Sequence, residues 1–152
     1  STIGDLLSFK VDKKTNLQLE ASYTNITNRQ VSLPVSISTD FAEELKSRGA
    51  TLDSFSDIVI SGIQMEIKNP SGQNFNFLKD VTFDVDDEVV ASLTEVPSDQ
   101  NPIVLETTNF NVLSLVKNNN LNMEMTFEFL ETIPEDYTVE ITFNFNIKAN
   151  VL

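Results

Sequence analysis

Residues 137–152 read YTVEITFNFNIKANVL, and this stretch decides the fold class. From Tyr137 to Val151 every second residue is apolar, and the residues between them are Thr, Glu, Asn or Lys. Side chains of a β-strand point alternately to its two faces, so a strict period of two predicts one buried face and one face in water. The C-terminal stretch is therefore predicted to be a long, half-buried strand.

The same period of two recurs along the rest of the chain. Apolar residues alternate over the ranges 17–23, 31–37, 63–67, 81–85 and 123–129, with turn-forming residues between these segments. About eight or nine strands separated by turns favour an all-β fold, an antiparallel β-sandwich of immunoglobulin-like or jelly-roll-like type. We expect residues 1–152 to form a single β-sandwich domain, with phenylalanines filling the space between its sheets.

Three short stretches break the alternation. KKTN at residues 13–16 predicts a turn that joins two short strands into a hairpin. TDFAEELKSRG at residues 39–49 predicts one short helix near residues 40–48, with Asp40 as its N-cap and Gly49 just beyond its end. ATLDSFSD at residues 50–57 is expected to link this helix to the next strand.

Two residues predict irregularities within strands. Gly62 lies inside the apolar stretch 58–68, where a glycine indicates a bulge. Pro34 lies on the polar side of its strand and has no N–H to donate, so it favours an edge position or a bulge.

The charge of the chain limits its partners. It carries 23 Asp and Glu residues against 10 Lys and Arg residues, a formal net charge of −13. Such a charge repels the phosphates of nucleic acids and anionic membrane surfaces. The apolar runs are also far shorter than the roughly 20 residues of a membrane span. We therefore expect no nucleic-acid partner and no membrane insertion by this domain, and a protein or a polysaccharide as its partner.

Histidine and cysteine are both absent from the chain. Their absence excludes disulfides, thiolate metal sites, cysteine nucleophiles, Ser-His-Asp triads and histidine-based metal sites. Glycoside hydrolysis by paired carboxylates would need a buried and asymmetric environment, which the exposed strand and turn positions of the acidic residues do not predict. We predict that the protein is not an enzyme and has no catalytic residues.

The densest cluster of charge is DVDDE at residues 84–88. On a strand Asp84 and Asp86 would point the same way, about 7 Å apart, with Asp87 and Glu88 adding charge at the strand end. Hard oxygen ligands collected in this way are suited to Ca²⁺, and these four residues are the candidate metal ligands. The spacing lacks the glycine and the terminal glutamate of an EF-hand, so a solvated turn is the alternative interpretation. No other cofactor is predicted.

Rows of polar side chains follow the outer faces of the last two predicted strands. One row is Thr138, Thr142, Asn144 and Asn146, and the other is Asn122, Glu124, Thr126 and Glu128. Such rows offer hydrogen bonds to a polysaccharide. The alternative is that they form the solvated side of an antiparallel sheet.

Three stretches of the second half are distinctive: IKNPSGQNFNFLKDVTFDV at 67–85, ASLTEVPSDQNPIVLETTNFNV at 91–112 and the C-terminal strand. Together they resemble a group of uncharacterised secreted lipoproteins from Bacteroidetes, and the resemblance covers residues 58–152. It implies a β-sandwich in the periplasm or on the outer surface of a bacterial cell, attached through a lipid-modified cysteine outside this chain. It brings no known activity.

Together these observations predict a non-enzymatic module of the cell envelope with an accessory, adhesion or assembly role. A carbohydrate-binding or calcium-binding module is the alternative.

Overall fold

The computed structural model describes residues 5–25, 27, 29–49 and 52–151. Over this part the chain forms eight strands, one α-helix and two 3₁₀ turns. The strands are β1 (Asp5–Leu19), β2 (Gln30–Ser38), β3 (Leu52–Asn69), β4 (Leu78–Val85), β5 (Glu88–Leu93), β6 (Ile103–Thr107), β7 (Asn120–Phe129) and β8 (Tyr137–Val151). The helix α1 spans Ala42–Ser47, and the 3₁₀ turns span Ala21–Asn25 and Leu113–Leu115.

The strands form one nearly closed sheet. All their pairings are antiparallel, and the strand order is β1-β8-β3-β6-β5-β4-β7-β2. The two end strands, β1 and β2, come into contact with each other. The prediction of an all-β, antiparallel fold is therefore confirmed.

The core is apolar and rich in phenylalanine. The alternating apolar residues of β8 from Val139 to Ala149 are all fully buried. This confirms the prediction that the C-terminal stretch is a strand with one buried face. The ring of Phe143 meets that of Phe83 edge-on with 5.9 Å between centroids. The buried phenylalanines are Phe9, Phe41, Phe75, Phe77, Phe83, Phe127, Phe129, Phe143 and Phe145.

The predicted bulge lies at Gly62 in β3. Ile58 and Ile60 are buried before it, and Ile63 and Met65 are buried after it, so the buried positions shift by one residue along the strand. The register between β3 and β8 shifts at the same place, between Ile60 and Gly62. The extra residue keeps apolar side chains on the core side from Ile58 to Ile67.

The edge position predicted from Pro34 is also confirmed. Pro34 is exposed and lies in β2, an end strand of the sheet that pairs with β7. An end strand tolerates a residue that cannot donate a backbone hydrogen bond.

The hairpin predicted around residues 13–16 is wrong. β1 continues through these residues and pairs with β8 from Asp5 to Leu19. Lys13 and Thr15 keep the inward phase of the strand and are half-buried. The long partner strand supplies a ladder of hydrogen bonds that outweighs the turn preference of Asn and Lys. The prediction of a link over residues 50–57 is also wrong from Leu52 onward, because β3 begins there.

The predicted helix is confirmed, although its start differs by one position. Asp40 does not cap the helix as N-cap, since Phe41 occupies that position. The Asp40 carboxylate instead accepts a hydrogen bond from the N–H of Ala42 at 3.1 Å. Phe41 and Leu45 are buried, and Gly49 has a φ of 68° just past the helix end.

Candidate functional site

The acidic stretch 84–88 forms the tight turn between β4 and β5. Val85 pairs with Glu88, which leaves Asp86 and Asp87 at the two central turn positions. Their φ angles are 48° and 68°. Two successive positive φ values define the hairpin turn whose twist matches the flanking strands, and aspartate tolerates this backbone better than most residues.

The turn places Asp84 opposite a glutamate that the sequence analysis did not connect with it. Asp84 of β4 pairs across the sheet with Glu124 of β7. Asp84, Asp86 and Asp87 together with Asn122, Met123 and Glu124 line a groove of about 370 Å³, which we call the acidic groove. The fourth predicted ligand, Glu88, is exposed at the start of β5 and does not line it.

The electrostatics of the groove are unfavourable for its own carboxylates. Burial raises the pKa of Asp84 above its ordinary value, and the charges of Glu124 and Asp87 raise it further. A hydrogen bond from the backbone N–H of Asp87 opposes this rise in pKa. No lysine or arginine lines the groove to neutralise these acids. The groove therefore favours a cation or a proton.

The structure also limits the predicted calcium site. Among the residues that the structure describes, no three or more acidic side chains form a group that could hold a metal ion. Asp84, Asp86, Asp87 and Glu124 all line the groove, and strand pairing sets Glu124 directly opposite Asp84. The sequence analysis did not place Glu124 at this site, because no local pattern aligns β4 with β7.

A second depression of about 240 Å³ adjoins the acidic groove across β2 and β7. Ser32, Leu33 and Pro34 line it from β2, and it shares Met123 and Glu124 with the acidic groove. The two depressions therefore meet at Met123 and Glu124, and we call them together the furrow around Glu124.

Many of the predicted polar rows are engaged in cross-strand contacts. On the β7 side, Ser36 donates to Asn122 at 3.0 Å. On the β8 side, Asn144 donates to Asp12 at 2.7 Å, and Thr138 donates to Gln18 at 3.0 Å. These contacts fix the positions of the side chains, so the outer faces present ordered polar groups.

Comparison with known proteins supports the fold alone. No family model matches the sequence, and no curated protein matches it. One similar solved structure is described as the 60-mer BFDV capsid protein, with a TM-score of 0.51 and 12% identity over 98% of this chain and 95% of that chain. At this identity the likeness shows a shared all-β architecture.

No helix in the described part of the chain is long and apolar enough to cross a membrane.

Proposed function

We propose that this chain is a non-enzymatic β-sandwich module of a bacterial cell envelope, with an accessory, adhesion or assembly role in the periplasm or on the outer surface. The resemblance of residues 58–152 to secreted lipoproteins of Bacteroidetes supports this location. In this proposal a lipid-modified cysteine outside the chain attaches the module to a membrane.

The strand order supports a sandwich of the jelly-roll type. Its first half, β1-β8-β3-β6, and its second half, β5-β4-β7-β2, would form the two facing sheets. Among the described residues the backbone pairing between the halves is short, with Ala91 of β5 paired to Thr107 of β6 and Ser92 to Glu106. An immunoglobulin-like sandwich places strands one, two, five and four in one sheet, so the observed order favours the jelly-roll alternative.

The division between core and surface is the observation that carries the proposal. Within the described residues, the buried polar side chains are Thr24 and Thr39, and the rest of the core is apolar. Polar side chains lie on the outer faces, many of them in cross-strand contact, and the acidic groove is an open surface feature. Such a surface is suited to contact with a partner, whereas catalysis by carboxylates needs an enclosed and asymmetric pair.

An assembly role has additional support from the similar solved structure, whose description names a 60-mer of capsid protein. A capsid protein that forms a 60-mer contacts further copies of itself, so a chain of similar fold is compatible with an assembly role. The net charge of −13 opposes any nucleic-acid cargo for this chain.

The location is tested in cells that carry the native gene. We expect the protein in the envelope fraction, with a lipid-modified N-terminal cysteine by mass spectrometry of the mature protein. Protease added to intact cells, and then to cells with a permeabilised outer membrane, separates surface display from a periplasmic location. Recovery in the cytosolic fraction with an unprocessed N-terminus would overturn the proposal.

A carbohydrate-binding or calcium-binding role for the furrow around Glu124 is the second candidate. It is supported by the cross-strand pairing of Asp84 with Glu124 in a groove that no lysine or arginine lines. Millimolar Ca²⁺ should then raise the melting temperature of the wild type and leave that of Asp84→Asn/Glu124→Gln unchanged. A screen on immobilised glycans tests the carbohydrate arm with the same pair of proteins. Equal responses of both proteins would place any binding elsewhere.

A further inference from the structure

A third depression, of about 270 Å³, lies between β1 and β8 on the face away from the core. Ser8 and Lys10 line it from β1, and Asn146 and Lys148 line it from β8. Ser8 pairs with Lys148 and Lys10 pairs with Asn146, so the four exposed side chains form a square around the pocket. Diagonal neighbours in such a square are within reach of long side chains, so both ammonium groups can converge on one ligand.

We call this depression the lysine pocket. Its floor lies between the Ser8–Lys148 pair and the Lys10–Asn146 pair. Phe9 pairs with Ile147, and both side chains are buried on the core side of the strands. The floor of the pocket is therefore the strand backbone at Phe9 and Ile147, with hydrogen-bonding and cationic side chains at its rim. On the opposite side of β1, Arg48 lies over the Phe9 ring at 4.7 Å from its centroid.

The charge at the pocket contrasts with that of the chain. Acidic residues outnumber basic ones by 23 to 10. Lys10 nevertheless has no carboxylate partner among the described residues. Lys148 reaches one carboxylate, that of Asp57, at 3.8 Å, and both side chains of this pair are well exposed. Exposed pairs of this length contribute little, so the Lys148 ammonium is available to a ligand.

We propose that the lysine pocket binds one carboxylate-bearing sugar unit of an acidic polysaccharide. The carboxylate contacts Lys10 and Lys148, the sugar hydroxyls contact Ser8 and Asn146, and the ring lies between these four side chains. This inference rests on the proposed function, because it names the partner of an envelope module.

The charge of the whole chain favours this ligand over denser polyanions. DNA carries about one negative charge per 1.7 Å of its axis, whereas an acidic polysaccharide carries one per sugar unit. A net charge of −13 therefore opposes the approach of DNA far more strongly than that of an acidic polysaccharide. At physiological salt, charges beyond about 8 Å are largely screened, so a single carboxylate at the pocket experiences mainly the two lysines and Asp57, whose carboxylate lies 3.8 Å from the Lys148 ammonium.

The test uses trigalacturonic acid and its methyl ester, which share one skeleton and differ in charge. We expect the acid to shift the backbone amide NMR signals of residues near Ser8, Lys10, Asn146 and Lys148, and its affinity to fall as salt is raised. The ester should bind at least about tenfold more weakly, the loss expected from one charge-assisted hydrogen bond. Equal binding of the ester, or no shift with the acid at millimolar concentration, would overturn the proposal.

Paired variants locate the site. Lys10→Gln/Lys148→Gln should lose at least about tenfold in affinity for the acid. Lys68→Gln/Lys117→Gln removes the same charge from exposed lysines elsewhere and should bind as the wild type does. Equal losses of affinity in both double variants would show that only net charge matters and would overturn the proposed binding site. Any of these failures leaves the envelope location untouched, because cell fractionation tests that separately.

Discussion

Lys13 points toward the core side of β1, and its Nζ lies 2.8 Å from Oε1 of Glu44 in α1. The same Nζ donates to the carbonyl oxygen of Asp40 at 3.3 Å and lies 5.4 Å from the centroid of the Phe41 ring. The side chains of Lys13 and Glu44 are 22% and 25% exposed. This partly buried pair fastens the helix to an end strand of the sheet.

We expect Glu44→Ala to lower the free energy of unfolding by about 1–3 kcal/mol, because it leaves the Lys13 ammonium partly buried without its counter-charge. Alanine is the strongest helix former, so the loss does not come from helix propensity. The measurement is equilibrium unfolding in urea.

The control for this variant is Glu140→Ala. Glu140 pairs with Lys14 at 3.6 Å, and the Lys14 side chain is 60% exposed. The Glu140 side chain is 24% exposed, but the Lys14 ammonium stays in water once this partner is removed, so the control should cost only about 0–1 kcal/mol. A loss in Glu140→Ala as large as that in Glu44→Ala would contradict the special position of Lys13.

The core position of β8 gives a second prediction. Phe143 is fully buried and contacts Phe83. Phe143→Ala should therefore cost about 3–5 kcal/mol through lost burial and the cavity left behind. Urea unfolding checks this value. A loss below about 1 kcal/mol, typical of surface substitutions, would show that this face of β8 is not part of the core.

A third prediction concerns Gly62 and Asn144, which meet across β3 and β8. A Cβ at Gly62 would lie 2.6 Å from Asn144 Oδ1, so Gly62→Ala must displace an amide that donates to Asp12. The expected loss is about 0.5–1.5 kcal/mol, the contribution of one hydrogen bond. In an Asn144→Ala background the clash is gone, and the lower entropy of the unfolded alanine chain should make the same substitution stabilising by about 0.4–1 kcal/mol.

The four proteins of this cycle are compared by thermal and urea unfolding. Equal effects of Gly62→Ala in both backgrounds would mean that Asn144 is free to move aside, and that the contact seen in the structure does not restrain it.

The fourth prediction is a pH dependence at the acidic groove. The pKa of Asp84 is raised above its ordinary value of 3.8 by burial and by Glu124 and Asp87. The folded state therefore binds this proton more tightly than the unfolded state does, and the ionised carboxylate destabilises the fold at neutral pH. Asp84→Asn should be more stable than the wild type at pH 7 by about 0.2–1 kcal/mol, the range for like charges on paired strands.

The difference between the two proteins should shrink as the pH falls through the raised pKa of Asp84 and vanish below 3.8, where the wild-type side chain is protonated in both states. Urea unfolding of both proteins between pH 7 and pH 3.5 gives this comparison. A stability difference that stays constant with pH would contradict it.

A fifth prediction uses the two tyrosines, since the chain has no tryptophan to obscure their ultraviolet absorbance. Burial raises the pKa of Tyr137 above 10, with Glu135 and Glu131 adding to the rise. A hydrogen bond with Glu20 is the main cause of the raised pKa of Tyr23. Alkaline titration of Tyr23→Phe, followed by ultraviolet absorbance, should show that the remaining Tyr137 ionises above pH 10. In the unfolded chain this tyrosine ionises at a lower pH than in the folded chain, so the free energy of unfolding should fall as the pH rises above 10.

The strands with unbroken alternation were predictable from the sequence. In β8 the period of two continues from Tyr137 to Ala149, and its apolar face packs across the core against residues such as Phe41 and Phe83. Gly62 was predictable as well, because the apolar phase changes between Ile60 and Ile63. In both places the local pattern and the final packing agree.

The features that depend on pairing were not predictable. KKTN is a turn by composition and a strand in the fold, because β8 runs alongside it. Glu124 joins the acidic groove because β4 happens to pair with β7 in a register that sets it against Asp84. Register between distant segments is set by the whole sheet, and a single sequence does not contain it in local form.

The two end strands of the sheet also affect how the chain behaves when many copies are crowded together. A long end strand is a template for aggregation, because a neighbouring chain can add to it by backbone hydrogen bonds. Here the proline at position 34 removes a donor from β2, while β1 carries an inward lysine at position 13 and has α1 against it. Crowded copies of this chain are therefore protected against growth into amyloid-like ribbons, although most of its mass is β-structure.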